Sequence, residues 1–182
     1  MRVEGNTIML NPQFDRESWD DVEFVWNHKP FIRSTVSEVM HFPIVDSFET
    51  INQSLLHKAY QMNVIPNDNE ALLLRHPISP WKEEVLLTVT KPVDDKDYVE
   101  LSGTFRSRVF EGKKTQLRSF FRQMESFLVG RNEQPLTYYV SKVASSTEVD
   151  GHETCTYVII AQVTNLSKDS EPLDIDRWFP FT

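Results

Sequence analysis

At 182 residues the chain is long enough for one sizeable core, or for two small half-domains that share one, and too short for two independent large domains. Hydrophobic residues make up 40% and charged residues 25%, a balance that excludes a disordered chain. The net charge of −8, with Lys and Arg scattered among acids, excludes nucleic acid as an expected partner, because phosphate contacts need clustered basic residues.

Cys155 is the single cysteine, so neither an intramolecular disulfide nor a cysteine-based metal cluster is expected, and it reads as a small buried hydrophobe in a strand. The five histidines show no HxxxH or HxH spacing, and no metal is expected. Residues 1–14 lack the apolar core of a signal peptide, and no stretch approaches the roughly 20 apolar residues of a membrane span. A cytoplasmic protein with no membrane partner is the expectation.

Residues 1–30 form an aromatic lead-in. From Phe31 the hydrophobic period gives one order of elements twice. The β-branched segment 31–39 favours a strand. A helix follows, opened by Asp46 with Glu49 three residues on, with Phe48, Ile51, Leu55, Ala59 and Met62 on one face. Pro66 and the polar run to Asn69 stop it. Residues 71–76 and 83–90 then read as two short strands joined by a turn from Pro77 to Pro80. The second run has a long strand over 98–110 and a helix over 114–129 with Leu117, Phe120, Phe121, Met124, Phe127 and Leu128 in one stripe. Gly130 is its expected C-terminal cap. Strands over 136–142 and 154–163 complete it, joined by a loop around Asp150-Gly151.

The expected fold is therefore α+β: two pseudo-symmetric strand-helix-strand-strand modules, over 31–93 and 97–166, forming an antiparallel sheet with helices on one face and a ligand groove on the other. Residues 167–182 make an acidic tail ending in an aromatic anchor. Strand parity assigns Val85, Leu87 and Val89 to the helix side and Glu84, Leu86 and Thr88 to the groove. It likewise sends Cys155, Tyr157, Ile159 and Ala161 to the core and Thr156, Val158 and Ile160 to the groove.

Three segments carry a resemblance: VWNHKPF over 25–31, Ser79-Pro80-Trp81 followed by Glu83 and Glu84, and the strand from Gly103-Thr104-Phe105 to Phe110-Glu111-Gly112. With the TYYV segment from Thr137 they make the chain resemble the GyrI-like small-molecule-binding superfamily, and within it the stand-alone branch that includes cyclopropanoid cyclopropyl hydrolases. Two stretches differ from that branch's pattern: Lys113-Lys114 after the strand, and Lys142-Val143-Ala144-Ser145-Ser146 in place of a Cys-Pro-x-Cys segment.

The resemblance implies an aromatic-walled groove with a carboxylate, taking a hydrophobic or aromatic small molecule. Glu84 is the first candidate for that carboxylate and Glu83 the alternate. Burial without a cation would raise the carboxyl pKa and suit it to general-base work. Tyr138 and Tyr139 point to opposite faces of their strand. Tyr139 is the one expected in the groove, its hydroxyl placed to bond a ligand carbonyl or a water, and Tyr138 is its alternate as a ligand contact. Trp26, Trp81 and Phe105 are the candidate walls, with plain packing as the other reading of each. No cofactor motif is present. In the enzymatic reading Glu84 activates water against a strained, electrophilic ring and the result is detoxification. In the other reading the groove sequesters a drug without converting it, or the protein acts on a protein partner.

Overall fold

The computed structural model describes residues 2–4, 7–9, 14–37, 47–67, 71–79, 82–147, 153–167 and 172–178. Trp81, Asp46, Asn69 and the Asp150-Gly151 loop lie outside them. In chain order the elements are β1 (Arg2–Glu4), β2 (Thr7–Met9), β3 (Val22–Ser37), α1 (Ser47–Gln61), β4 (Leu73–Ser79), β5 (Lys82–Thr88), β6 (Tyr98–Gly112), α2 (Leu117–Val129), β7 (Glu133–Thr147) and β8 (Glu153–Asn165). The chain divides into two compact units, residues 1–13 with 27–102, and residues 14–26 with 103–182. No helix among the described residues is long and apolar enough to cross a membrane.

In the first unit β5 is the middle strand, antiparallel to β3 on one side and to β4 on the other. Leu55, Leu56 and Ala59 of α1 pack in one core with Ile32, Val36, Val85, Leu87 and Val89. The helix ends at Gln61, five residues before Pro66. Asn63, at φ 52°, turns left-handed, the Val64 amide reaches back to the Ala59 carbonyl and the Asn63 amide to the Tyr60 carbonyl. This paired closure buries Val64 completely, so a left-handed asparagine and an apolar residue after it stop the helix.

In the second unit β8 is the middle strand, flanked by β6 and β7. Phe120, Phe121, Met124 and Leu128 of α2 pack on Tyr138, Val140, Cys155, Tyr157, Ile159 and Ala161. A 3₁₀ turn over Lys114–Gln116 precedes α2. Gly130 stays right-handed at φ −60°, and the left-handed residue after the helix is Asn132. Trp178, beyond β8, docks edge-on against Phe121 and Tyr138 at 5.8 and 6.1 Å.

The expected α+β sheet, with helices on one face and an open groove on the other, is not what the chain forms. The protein is mostly strand, with two short α-helices among the described residues, and its long strands pair antiparallel as β3-β5-β4 in the first unit and β7-β8-β6 in the second. The physical reason is visible within each unit. The helix-facing sets on β5 and β8 are as parity predicts. The opposite sets, expected to border open space, are buried too: Leu86 and Thr88 are 3% exposed, Val158 1% and Ile160 0%. Strands covered on both faces read as continuous apolar runs, as VLLTV and YVIIA do here, rather than as alternation.

Candidate functional site

The aromatic side chains gather in the second unit. Alternate residues of a strand share a face, so Phe24 and Trp26 at the start of β3 align, with ring centroids 6.0 Å apart. Trp19, just before the strand, stands 5.3 Å from Phe24, and Trp26 stands 4.3 Å from Phe105 of β6. Phe105 in turn lies 6.4 Å from Tyr139 of β7. All four pairs are tilted, and the pairs at 5.3, 6.0 and 6.4 Å lie within the range in which ring quadrupoles attract. The row runs from partly exposed Trp19, Phe24 and Trp26 to buried Phe105 and Tyr139.

Register explains why these residues share a face. Ile160 of β8 stands opposite Ser107 of β6 on one side and Tyr139 of β7 on the other, and Gln162 stands opposite Phe105 and Thr137. The side of the sheet turned away from α2 thus combines Phe105 and Tyr139 with the polar Ser107, Thr137 and Gln162. Ser107, itself fully buried, donates to the Trp19 carbonyl at 2.6 Å, which fixes the approach to β3 against this face. Planar rings beside a few fixed polar groups suit a flat organic ligand.

Tyr138 is elsewhere. It points to the opposite face, 5.3 Å from the Phe121 ring, and is fully buried. Burial, with a smaller contribution from Glu125, holds its hydroxyl well above the ordinary tyrosine range, so it is neutral. Trp26, Phe105 and Tyr139 are brought together, and Tyr138 is not among them.

The candidate carboxylates lie in the first unit, on opposite faces of β5. Glu83 is buried and ion-paired to Arg75 at 2.6 Å. The Glu84 side chain is 19% exposed and receives Arg33 Nη1 at 3.3 Å. The general-base expectation required burial without a cation, and Arg33 is that cation. Register also sets His76 of β4 and Thr35 of β3 directly across from Glu84. Neither Arg33 nor His76 is among the candidates that the sequence pattern singles out. The hairpin from ALLLRH to EEVLL held the signal for His76, since a tight turn pairs the last residues of one strand with the first of the next.

A second polar cluster in this unit is built on His28, which the sequence offers as a proton carrier without showing its partners. His28 Nδ1 meets Glu100 Oε2 at 2.6 Å, Tyr98 donates to the other Glu100 oxygen at 2.6 Å, and the His28 amide donates to Ser102 Oγ at 2.8 Å. Hydrogen bonds from Tyr98 and then His28 hold the Glu100 carboxyl below its usual range, while burial and then Glu100 push Tyr98 up to about 12. His28 adopts φ 53°, a left-handed turn inside β3 that no run of residue types announces.

Against known proteins, the family described as bacterial hydrolase matches residues 1–162. No curated protein matches the chain. Among solved structures, a hydrolase from Listeria innocua superposes with a TM-score of 0.54 at 11% identity, over 80% of this chain and 92% of that one. That likeness is one of fold. SAV2435, solved bound to tetraphenylphosphonium, gives a TM-score of 0.40 at 11% identity, over 80% of this chain and 94% of that one.

Proposed function

The chain belongs to the bacterial hydrolase family, and from that premise we propose that it hydrolyses a small organic compound with a flat aromatic body and a strained, electrophilic ring. The observation that carries this reading is the row Trp26–Phe105–Tyr139, with rings 4.3 and 6.4 Å apart on a face that also holds Ser107. The rings receive the planar body, and the Tyr139 hydroxyl hydrogen-bonds the carbonyl conjugated to the strained ring. The resemblance to GyrI-like proteins, and to cyclopropyl hydrolases among them, supports the same ligand class.

The step balances without a cofactor. Water forms a C–O bond to the strained carbon, one ring C–C bond breaks, and its electron pair moves onto the conjugated carbonyl oxygen. Water's proton passes to a carboxylate and from there to that oxygen. Glu84, the carboxylate that the resemblance offers for this role, lies in the first unit with Arg33 engaging one of its oxygens. Loss of a genotoxic electrophile would be the outcome. A second reading, binding without conversion, is favoured by the same Arg33, which already engages Glu84.

Incubation with a cyclopropane-bearing alkylating compound, followed by chromatography, tests the proposal. Native protein should yield ring-opened product. Tyr139→Phe should lower the rate about 10²- to 10³-fold and Glu84→Gln about 10²- to 10⁴-fold. Saturable quenching of tryptophan fluorescence with no product would replace hydrolysis by sequestration. Absence of both would discard the ligand class.

A further inference from the structure

The second unit carries a depression between β6 and α2, away from the aromatic row, lined by Arg108, Ser119, Arg122, Gln123, Ser126 and Phe127. It holds about 480 Å³, inside the range of roughly 300–1,000 Å³ that small-molecule sites occupy. Its charge runs against that of the protein, which is −8 overall. Asp176 is the carboxylate paired here, and it serves two guanidiniums, Arg118 at 2.9 Å and Arg122 at 3.1 Å. Arg108 adds a third. Its guanidinium lies 4.7 Å from the centroid of Phe127 and 5.6 Å from that of Phe110, and its buried Nε meets no acceptor among the described residues. Among the described residues the lining has two cations, Arg108 and Arg122, and the carboxylate that meets Arg122 is Asp176, shared with Arg118, so the depression is positive.

Hydrogen-bond roles inside it are largely fixed. Ser126 donates to the Arg122 carbonyl, and Arg122 commits one Nη to both Asp176 oxygens. Ser119 Oγ accepts from Gln123 at 3.3 Å, which leaves its own proton to donate. The group that complements two guanidinium forks and a hydroxyl donor is an oxyanion.

We propose that this depression binds the oxyanion group of a small molecule, a phosphate or a carboxylate, with Arg108 as the principal contact and Arg122 and Ser119 beside it. Rings under Arg108 hold its position without neutralising it, so the charge is kept for the ligand. The site stands independently of the hydrolase reading.

Titration of the full chain with inorganic phosphate and, separately, with benzoate tests the proposal, read from the Arg108 Nε–H resonance and by calorimetry. Saturable binding is expected, weakened about 10- to 100-fold by Arg108→Gln through loss of a charge-assisted contact. Arg108→Lys should fall between the two, since it keeps the charge and loses the fork. Near-ultraviolet circular dichroism of Trp178 reports whether each variant is folded. Stronger binding of phosphate assigns the occupant as a phosphoryl group, and stronger binding of benzoate assigns a carboxylate. A linear response to both anions, or equal binding by folded Arg108→Gln, would overturn the site.

Discussion

Tyr98, Glu100 and His28 show how much a few polar side chains can fix. Glu100 receives one hydrogen bond on each oxygen, and the strand around it is tied down by the bond from the His28 amide to Ser102. Because the folded protein holds the Tyr98 proton more tightly than the unfolded chain, the associated stability is complete below about pH 10 and is lost as pH rises from there through about 12. Thermal melting of native protein should therefore fall across that window, and Tyr98→Phe should show a shallower fall. An identical slope in the variant would show that Tyr98 does not carry the effect. None of this was legible in sequence: Tyr98 and Glu100 are two apart on β6, but their partner lies 72 residues from Glu100, in a strand whose start at Val22 the reading placed at Phe31. Pro30 and the polar Asn27-His28-Lys29 break the β-branched run, and the left-handed turn at His28 lets the strand continue through them.

At the scale of elements, the helices were the clearest part of the sequence. A 3.6-residue stripe survives any tertiary arrangement that buries one face, so Phe120, Phe121, Met124 and Leu128 pack as their spacing predicts. Leu117 and Phe127, from the same stripe, are partly buried against that core, and the Phe127 ring also lies under Arg108 and Arg131. The second helix ends at Val129 with Gly130 as its cap, as expected, though the left-handed residue is Asn132; the first ends at Gln61, where Asn63 turns left-handed well before Pro66. Gly112, where β6 hands over to the turn before α2, needs its missing side chain: a Cβ there would sit 2.3 Å from Gln116 Oε1 and 2.8 Å from the Phe120 ring, at φ 156°. Gly112→Ala should cost about 1–3 kcal/mol in chemical denaturation, since both backbone and core ring must give way. A variant as stable as the native chain would show that the turn and ring relax freely.

For the molecule as a whole, strand parity on β5 and β8 was readable, while the order in which strands join was not. Parity is a local property of period two, whereas pairing partners are set by contacts far apart in sequence. The burial of Leu86, Thr88, Val158 and Ile160 stands where an open groove is expected, and Trp26, Phe105 and Tyr139, all candidates from the sequence, form the aromatic row. Arg33, His76 and Arg108 were missed because a charged residue's importance rests on its neighbours, and those neighbours come from other elements. Family membership makes hydrolysis the central claim, and counting turnovers examines it most directly. With a cyclopropane-bearing alkylating compound in large excess, the account predicts that native protein releases many equivalents of ring-opened product per chain, at a rate that collapses in Tyr139→Phe. Product limited to one equivalent per chain, or a rate unchanged in Tyr139→Phe, would contradict it.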